Sequence, residues 1–454
     1  MTSHGDVTDE YNRRAGTDPQ LRGCVRDLDM TESAAYYADA GIARPMFAPL
    51  REIRNLTDDI RATIAVMDDL PNRCFGGSLE SYLSAQGYDD ELLSAMLAGI
   101  VGSGTPAGPW NSAADIGHGR ADVFRGPDGC RVLELNMGSA LGGRLTTTLN
   151  SALLRSPVFR GFAEEFGLSW IDPVRVLVDD LLAVGRTTIG TDAPVVAIVD
   201  ESGTDDSCVR LMPELRARGV NALHGEFGEL DVVGGKGRLR GEPVDIVLRF
   251  FFVRHIPHEP GGMDTLRALT EAHRAGRTAL FTPFDPEIHG GKAALGLLFE
   301  PEVRARLAAA EIARVDRIIP WTRLVGPGFP TVEPAARAEL LEECRARRTD
   351  LVLKPANLYA SQGVVFGDEV GDAEWRALLA TPPRPDYVVQ ERVRPRAEAV
   401  IDPKTAEPED WTVLWQVFFG PAGYGGSSVR GRPRSQPGAV GGNDVTRTGC
   451  AFVH

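Results

Sequence analysis

After Pro49, apolar residues recur every three or four positions: Leu50, Ile53, Leu56, Ile60, Ile64 and Met67. That period predicts a long amphipathic helix to about residue 70, with proline suited to its first turn. A shorter helical stretch is read at 91–97, behind Asp89 and Asp90. Helices are read again through 145–188, where Pro173 opens the piece 174–184. Beyond Pro194 the pattern changes to short apolar runs at 195–199, 244–249 and 279–281, separated by helical periods at 205–218 and 265–273. Strands alternating with helices at this spacing predict a mainly parallel, doubly wound, Rossmann-like sheet. Its first strand runs into Asp200-Glu-Ser-Gly-Thr204 rather than Gly-x-Gly-x-x-Gly, which argues against a dinucleotide cofactor.

The stretch 120–136 alternates differently and reads as a hairpin with one polar face. Pro127-Asp128-Gly129 has the chemistry of a three-residue loop. If Gly126 pairs with Cys130, Asp122 lies opposite Glu134 and Arg120 opposite Asn136, while Ala121, Val123, Leu133 and Leu135 form an apolar face. Two carboxylates, a carboxamide and an arginine at close quarters suit a hard cation that keeps a bound phosphate, with magnesium and a nucleotide the natural pair. The plain alternative is a half-exposed hairpin whose outer face is merely polar.

Further along, the helix after Gly290-Gly291 carries Lys292 in its first turn. It is no Walker loop, because the upstream glycine is missing and Ala293 stands where Ser or Thr belongs. A helix of about fifteen residues is expected from near Pro334. The segment 351–367 reads as a strand bearing Lys354, a loop, and a return strand from near Gly363. Another strand, 387–393, ends in Gln390 and Glu391, and 411–419 alternates as a strand before a Gly- and Arg-rich tail containing Arg430 and Gly441-Gly442-Asn443. A strand lysine, a loop and a polar-ended hinge strand have the layout of a nucleotide clamp.

Composition narrows the field. A net charge of -14 over 454 residues argues against a nucleic-acid surface. Six scattered cysteines without a Cys-x-x-Cys pair indicate neither zinc site nor disulfide framework, and no apolar run is long enough to span a bilayer; a cytoplasmic protein is expected. Among 49 basic residues only Lys236, Lys292, Lys354 and Lys404 are lysines, which makes each worth inspecting. His255 and His258 read as surface or cleft residues. The expected organisation is a loose tail over 1–30, a helical region with the hairpin over 31–190, a Rossmann-like domain over 191–290, and a clamp with closing strands over 291–454.

Taken together, Arg120, Asp122, Glu134, Asn136, Lys354-Pro355, Gln390 and Glu391 resemble the ATP-grasp superfamily. Because the acidic motif precedes the lysine clamp, the order resembles the circularly permuted ATP-grasp ligases, such as the synthetase domain of glutathionylspermidine synthase, over about residues 100–454. The resemblance implies an α/β (α+β) fold in which the Rossmann-like part is a pre-ATP-grasp domain. It implies that Asp122, Glu134 and Asn136 hold Mg2+ against ATP, and that Arg120 stabilises the transferring phosphoryl group. Lys292 and Lys354 would hold phosphates, and Gln390, Glu391 and the backbone of Val393 would receive adenine. The loop after Lys354 is poorer in glycine than the usual lid. The implied activity is carboxylate–amine ligation through an acyl phosphate, releasing ADP, on small acids and amines such as amino acids or peptides, as in peptide natural-product biosynthesis. Arg430 is a candidate for a substrate carboxylate, and self-association is compatible with the sequence. Alternatives are a phosphotransferase that stops at the phosphorylated product, and a non-catalytic binding protein on the same fold. An amine requirement for ADP release separates the first from a ligase.

Overall fold

The computed structural model describes residues 4–28, 41–104, 110, 117–138, 142–201, 207–327, 329, 334–358, 361–383, 386–436, 438–441 and 445–454. Three sheets meet around one cleft. The central one is antiparallel, with strands in the order Arg447–Gly449, Gly423–Pro433, Pro408–Gly420, Gly119–Gly126 and Gly129–Met137, and Glu398–Ile401 pairing alongside the long Pro408–Gly420 strand. Period-two alternation divides this sheet. Ala121, Val123, Leu135, Val413, Trp415, Val417 and Val429 are buried on one face in the main core, which also holds Ile53, Leu56, Ile60, Ile64 and Met67 of the helix Leu50–Cys74. The long helix is therefore where its apolar period predicts, laid on the back of the site-bearing sheet.

The second sheet is parallel, in the order Ala279–Phe281, Ile246–Arg249, Val195–Asp200, Asn221–Glu226, with the helices Ser207–Ala217 and Gly262–Arg274 between strands. This is the alternation read from the sequence. A small antiparallel meander, Leu230–Val233, Lys236–Leu239 and Glu242–Pro243, is inserted before the strand Ile246–Arg249; its short, charged strands gave no apolar period to detect. The third sheet is antiparallel, ordered Thr322–Leu324, Tyr387–Glu391, Leu351–Pro355, Val365–Phe366, and has its own core around Trp375, Cys344 and Val389.

Two expectations for the ends of the chain are overturned. Residues 4–28 are not a loose tail: the helix His4–Thr17 buries Val7, Tyr11 and Ala15 against Phe47, Phe162 and Phe452. Nor is the Gly- and Arg-rich C-terminal stretch a tail, since Gly423–Pro433 is an inner strand of the central sheet and Ala451–Val453 pairs in parallel with Met46–Ala48. Glycines lowered the apparent strand propensity of a segment whose backbone is paired on both sides. Among the described residues, no helix is long and apolar enough to cross a membrane.

Candidate active site

The hairpin brings its four polar side chains to one face, by a different route from the one expected. Its loop is the two residues Pro127 and Asp128, with Gly126 paired to Gly129, and Gly129 takes φ +113. Continued without interruption, that register would put Leu133 opposite Asp122 and turn Glu134 toward the core. A bulge between Asp122 and Val123 restores it: Val132 pairs with Val123, Leu133 is the extra residue, and Glu134 pairs with Asp122. Arg120 then lies opposite Asn136, as anticipated. Leu133 does not join the apolar back face; it lines the cleft.

Cross-strand pairing extends this row. Asp122 is opposite Gln416, and Gln416 is opposite Ser428, so Glu134, Asp122, Gln416 and Ser428 stand side by side across four strands. Gln416 is 4% exposed, its Oε1 accepts from the Ser428 hydroxyl at 2.9 Å, and its Nε2 has no partner among the described residues. Sequence reasoning missed both. The available signal was a lone glutamine inside the run Val413-Leu-Trp-Gln-Val-Phe418, where a buried polar group demands a reason.

Within the row, Arg120 donates Nε–H to Asp122 Oδ1 at 2.9 Å, and Asn136 Nδ2 lies 3.5 Å from the same oxygen. Lys292 Nζ sits 2.9 Å from Glu134 Oε2 and donates to the carbonyl of Leu358 at 2.8 Å. Lys354 Nζ donates to Gln390 Oε1 at 2.6 Å, while Gln390 Nε2 donates to Thr322 Oγ1 at 3.0 Å. The Gln390 amide is thus occupied with the lysine and the neighbouring strand, although its side chain still lines the same cavity.

Burial acts on Asp122, Glu134 and Lys354 alike. It pushes the Asp122 carboxyl up, reinforced by the negative charge of Glu134 and opposed by Arg120 and Arg430. It acts upward on Glu134 too, but the cations Lys292, Lys354 and Arg120 outweigh it and hold that carboxyl low. Burial brings Lys354 down to about 8, with Glu134 working against the fall and Lys292 adding to it. Two adjacent carboxylates, Asp122 buried and Glu134 half-buried, one of them disfavoured as an anion, form a place where a divalent ion would stabilise both charges. Among the described residues no group of three His, Cys, Asp or Glu side chains is arranged for a metal. Asp122, Glu134 and the Asn136 amide oxygen instead make a partial oxygen set, which fits magnesium because that ion keeps waters and phosphate oxygens in its shell.

Two cavities share a wall made of Arg120, Glu134, Asn136, Lys292 and Leu358. One, of about 150 Å³, runs between Lys354, Gln390, Glu391 and Val393 on the clamp side and Phe124, Leu133 and Leu414 on the hairpin side. Arg430 lines this cavity, opposite Leu414 in the sheet, and not the second one. There its charge bears on Asp122, favouring that carboxylate's anion. Gly441 lies here as well, whereas Gly442 and Asn443 fall outside the described residues. The second cavity, of about 290 Å³, opens toward the parallel sheet and is lined by Tyr88, Arg249, Phe251, Phe252, Arg254 and Glu287. Of the other candidates, Lys236 pairs with Asp245 at 2.6 Å and His255 with Glu201 at 2.6 Å, both outside the two cavities.

No family model matches the chain, and no curated protein does either. Among solved structures, a glutathione synthetase-like effector from Globodera pallida superposes with a TM-score of 0.52 at 11% identity, over 100% of this chain and 98% of that one. A candidate gamma-glutamylcysteine synthetase from Methylobacillus flagellatus is more remote, with a TM-score of 0.39 at 11% identity over 87% and 86% of the two chains. The chain therefore has, over its full length, a fold like that of a glutathione synthetase-like protein.

Proposed function

We propose that the protein is an ATP- and Mg2+-dependent carboxylate–amine ligase with a circularly permuted ATP-grasp arrangement, forming an amide through an acyl phosphate. The observation that carries this reading is the shared wall. Arg120, Asn136, Glu134 and Lys292 border both the clamp cavity and the larger one, so a phosphoryl donor and an acceptor would meet at one place.

In this reading ATP lies along the clamp, its base between the apolar side chains and the backbone of 391–393, its phosphates toward Lys354 and Lys292. An oxygen of the substrate carboxylate attacks the γ-phosphorus, and the bond from that phosphorus to the β–γ bridging oxygen breaks, releasing ADP. The amine nitrogen then attacks the acyl carbon, the carbon–oxygen bond to phosphate breaks, and the nitrogen gives up a proton as the amide forms. Arg120 and Lys292 face the charge that builds during both transfers. Asp122, Glu134 and Asn136 would hold Mg2+, which when bound neutralises phosphate charge. The amide-forming chemistry suits a peptide natural-product pathway.

The test is ADP release screened over pairs of amino acids, with mass spectrometry of the product. ADP release requiring both an acid and an amine is the expected result. Release with the acid alone, and no coupled product, identifies a phosphotransferase. No release from any pair, while ADP still binds, identifies a binding protein. Glu134→Ala is expected to lower turnover by about a thousandfold or more with its circular dichroism unchanged; near-normal turnover would remove the cation assignment.

A further inference from the structure

Gln416 lies in the middle of the polar row, between Asp122 on one neighbouring strand and Ser428 on the other. Along its own strand, Leu414 and Phe418 flank it on the same face, and both are apolar and buried. The amide is 4% exposed and used at one end only: Oε1 accepts from the Ser428 hydroxyl at 2.9 Å, while Nε2 has no partner among the described residues. A buried N–H left unpaired bears its full desolvation cost, so an acceptor within reach is what the position calls for.

The neighbours narrow the choice to one. Ser428 is committed to the other end of the amide, and the diagonal residues Arg120, opposite Phe418, and Arg430, opposite Leu414, carry donors and no side-chain acceptor. Asp122 has capacity to spare. Its Oδ1 accepts from Arg120 at 2.9 Å and lies 3.5 Å from Asn136 Nδ2, whereas Oδ2 accepts no hydrogen bond among the described residues. Opposed side chains on paired strands have Cβ atoms about 5 Å apart, a gap that a glutamine amide spans by rotating its own torsions. Asp122 lines the clamp cavity and Gln416 lines neither cavity, so Gln416 stands behind the carboxylate and not against a ligand.

We infer that Gln416 is a positioning residue for the cation row: its amide N–H holds the Asp122 carboxylate in the orientation that a divalent cation requires, and the Ser428 hydroxyl anchors the far end of the amide. Charge explains why the position carries a glutamine. A lysine or arginine there would neutralise Asp122 and compete with the cation, whereas a neutral donor fixes the carboxylate and leaves its charge available. The inference deepens the cation part of the ligase reading and rests on it.

The experiment uses the full chain and calorimetric titration with ADP, once in chelator and once with saturating Mg2+, so that the ratio of the two affinities measures what the cation adds. Gln416→Met, which keeps the length and removes the donor, is expected to lower that ratio about tenfold while leaving metal-free ADP affinity unchanged. Ser428→Ala should lower it less, because the donor is present but no longer anchored, and Gln416→Asn, which keeps a shorter donor, should restore part of the loss seen in Gln416→Met. A ratio unchanged in Gln416→Met, or an equal fall in ADP and MgADP affinity, overturns the inference while leaving the ligase reading intact. Absence of any Mg2+ enhancement in the parent chain removes the cation assignment itself, and the inference with it. Retained metal-free ADP binding shows that the variants are folded.

Discussion

Lys354 shows what burial does to a charge whose hydrogen-bond partner, Gln390, is neutral. Its ammonium is buried, and burial brings its pKa to about 8, against 10.5 for an ordinary lysine, even though Glu134 favours the charged form. Below pH 8 the side chain is protonated both folded and unfolded, so the folded state carries the whole burial penalty. Between pH 8 and about 10.5 the unfolded chain binds a proton that the folded chain does not, and stability contributed through this group rises with pH. Lys354→Met removes that dependence. In urea titrations without nucleotide or metal, the variant's stability relative to the parent is expected to be highest at pH 7 and to fall by about 2–3 kcal/mol by pH 10.5. A constant difference across that range would show that the lysine is not desolvated. The lost hydrogen bond to Gln390 shifts both ends equally and does not affect the sign. Under the ligase reading proposed above, triphosphate would add its negative charge to that of Glu134 and Asp122 around this cation.

At the scale of elements, the sequence was most legible where one periodicity ran unopposed. The helix Leu50–Cys74 and the strand–helix alternation from Val195 to Phe281 follow from apolar spacing alone. The hairpin was legible in its outcome and not in its cause. Turn chemistry at Pro127-Asp128-Gly129 fits either a two- or a three-residue loop, and the bulge that compensates for the shorter one leaves no mark in composition. Deleting Leu133 tests whether the turn sets the register. With the bulge gone, the two-residue loop by itself places Glu134 opposite Asp122 and Val132 opposite Val123, so the chain should still unfold in one cooperative transition. What is lost is an apolar wall of the clamp cavity and the carbonyl that faces the Gln390 amide at 3.4 Å. MgADP affinity should therefore drop about tenfold, a loss of roughly one apolar side chain's burial. A deletion variant that does not fold would show that the bulge, not the turn, holds the register.

For the whole molecule, long-range pairing was the illegible part. Nothing local in Gly423–Pro433 says that it lies beside Pro408–Gly420, or that residues 451–453 lie beside Met46–Ala48. Nor does the spacing of Arg249 and Arg254 say that they face Arg120 across a cavity. Those facts arise only when three sheets close on one another. One face of the clamp sheet has its own core, while Leu324, Val388 and Ala356 join the main core beside Leu295 and Leu297; at the cleft itself its links are polar: Lys292 to Leu358, Arg254 to Asn357, Gln390 to Leu133. The polar cleft links open more readily than that buried apolar seam, so the cleft side is where the two parts separate first. In the proposed reading, a nucleotide between the sheets would add contacts to both at once and raise the free energy of separating them, by about 2.7 kcal/mol at a hundred times its dissociation constant. Amide hydrogen exchange with and without MgADP reads this directly. Protection is expected to rise together in Leu351–Pro355, Tyr387–Glu391 and the hairpin Gly119–Met137, and to stay unchanged in His4–Thr17, which packs far from the cleft against Phe47 and Phe162. Protection confined to the clamp strands would mean that the nucleotide never touches the Asp122–Glu134 row, and the two cavities would then belong to separate functions.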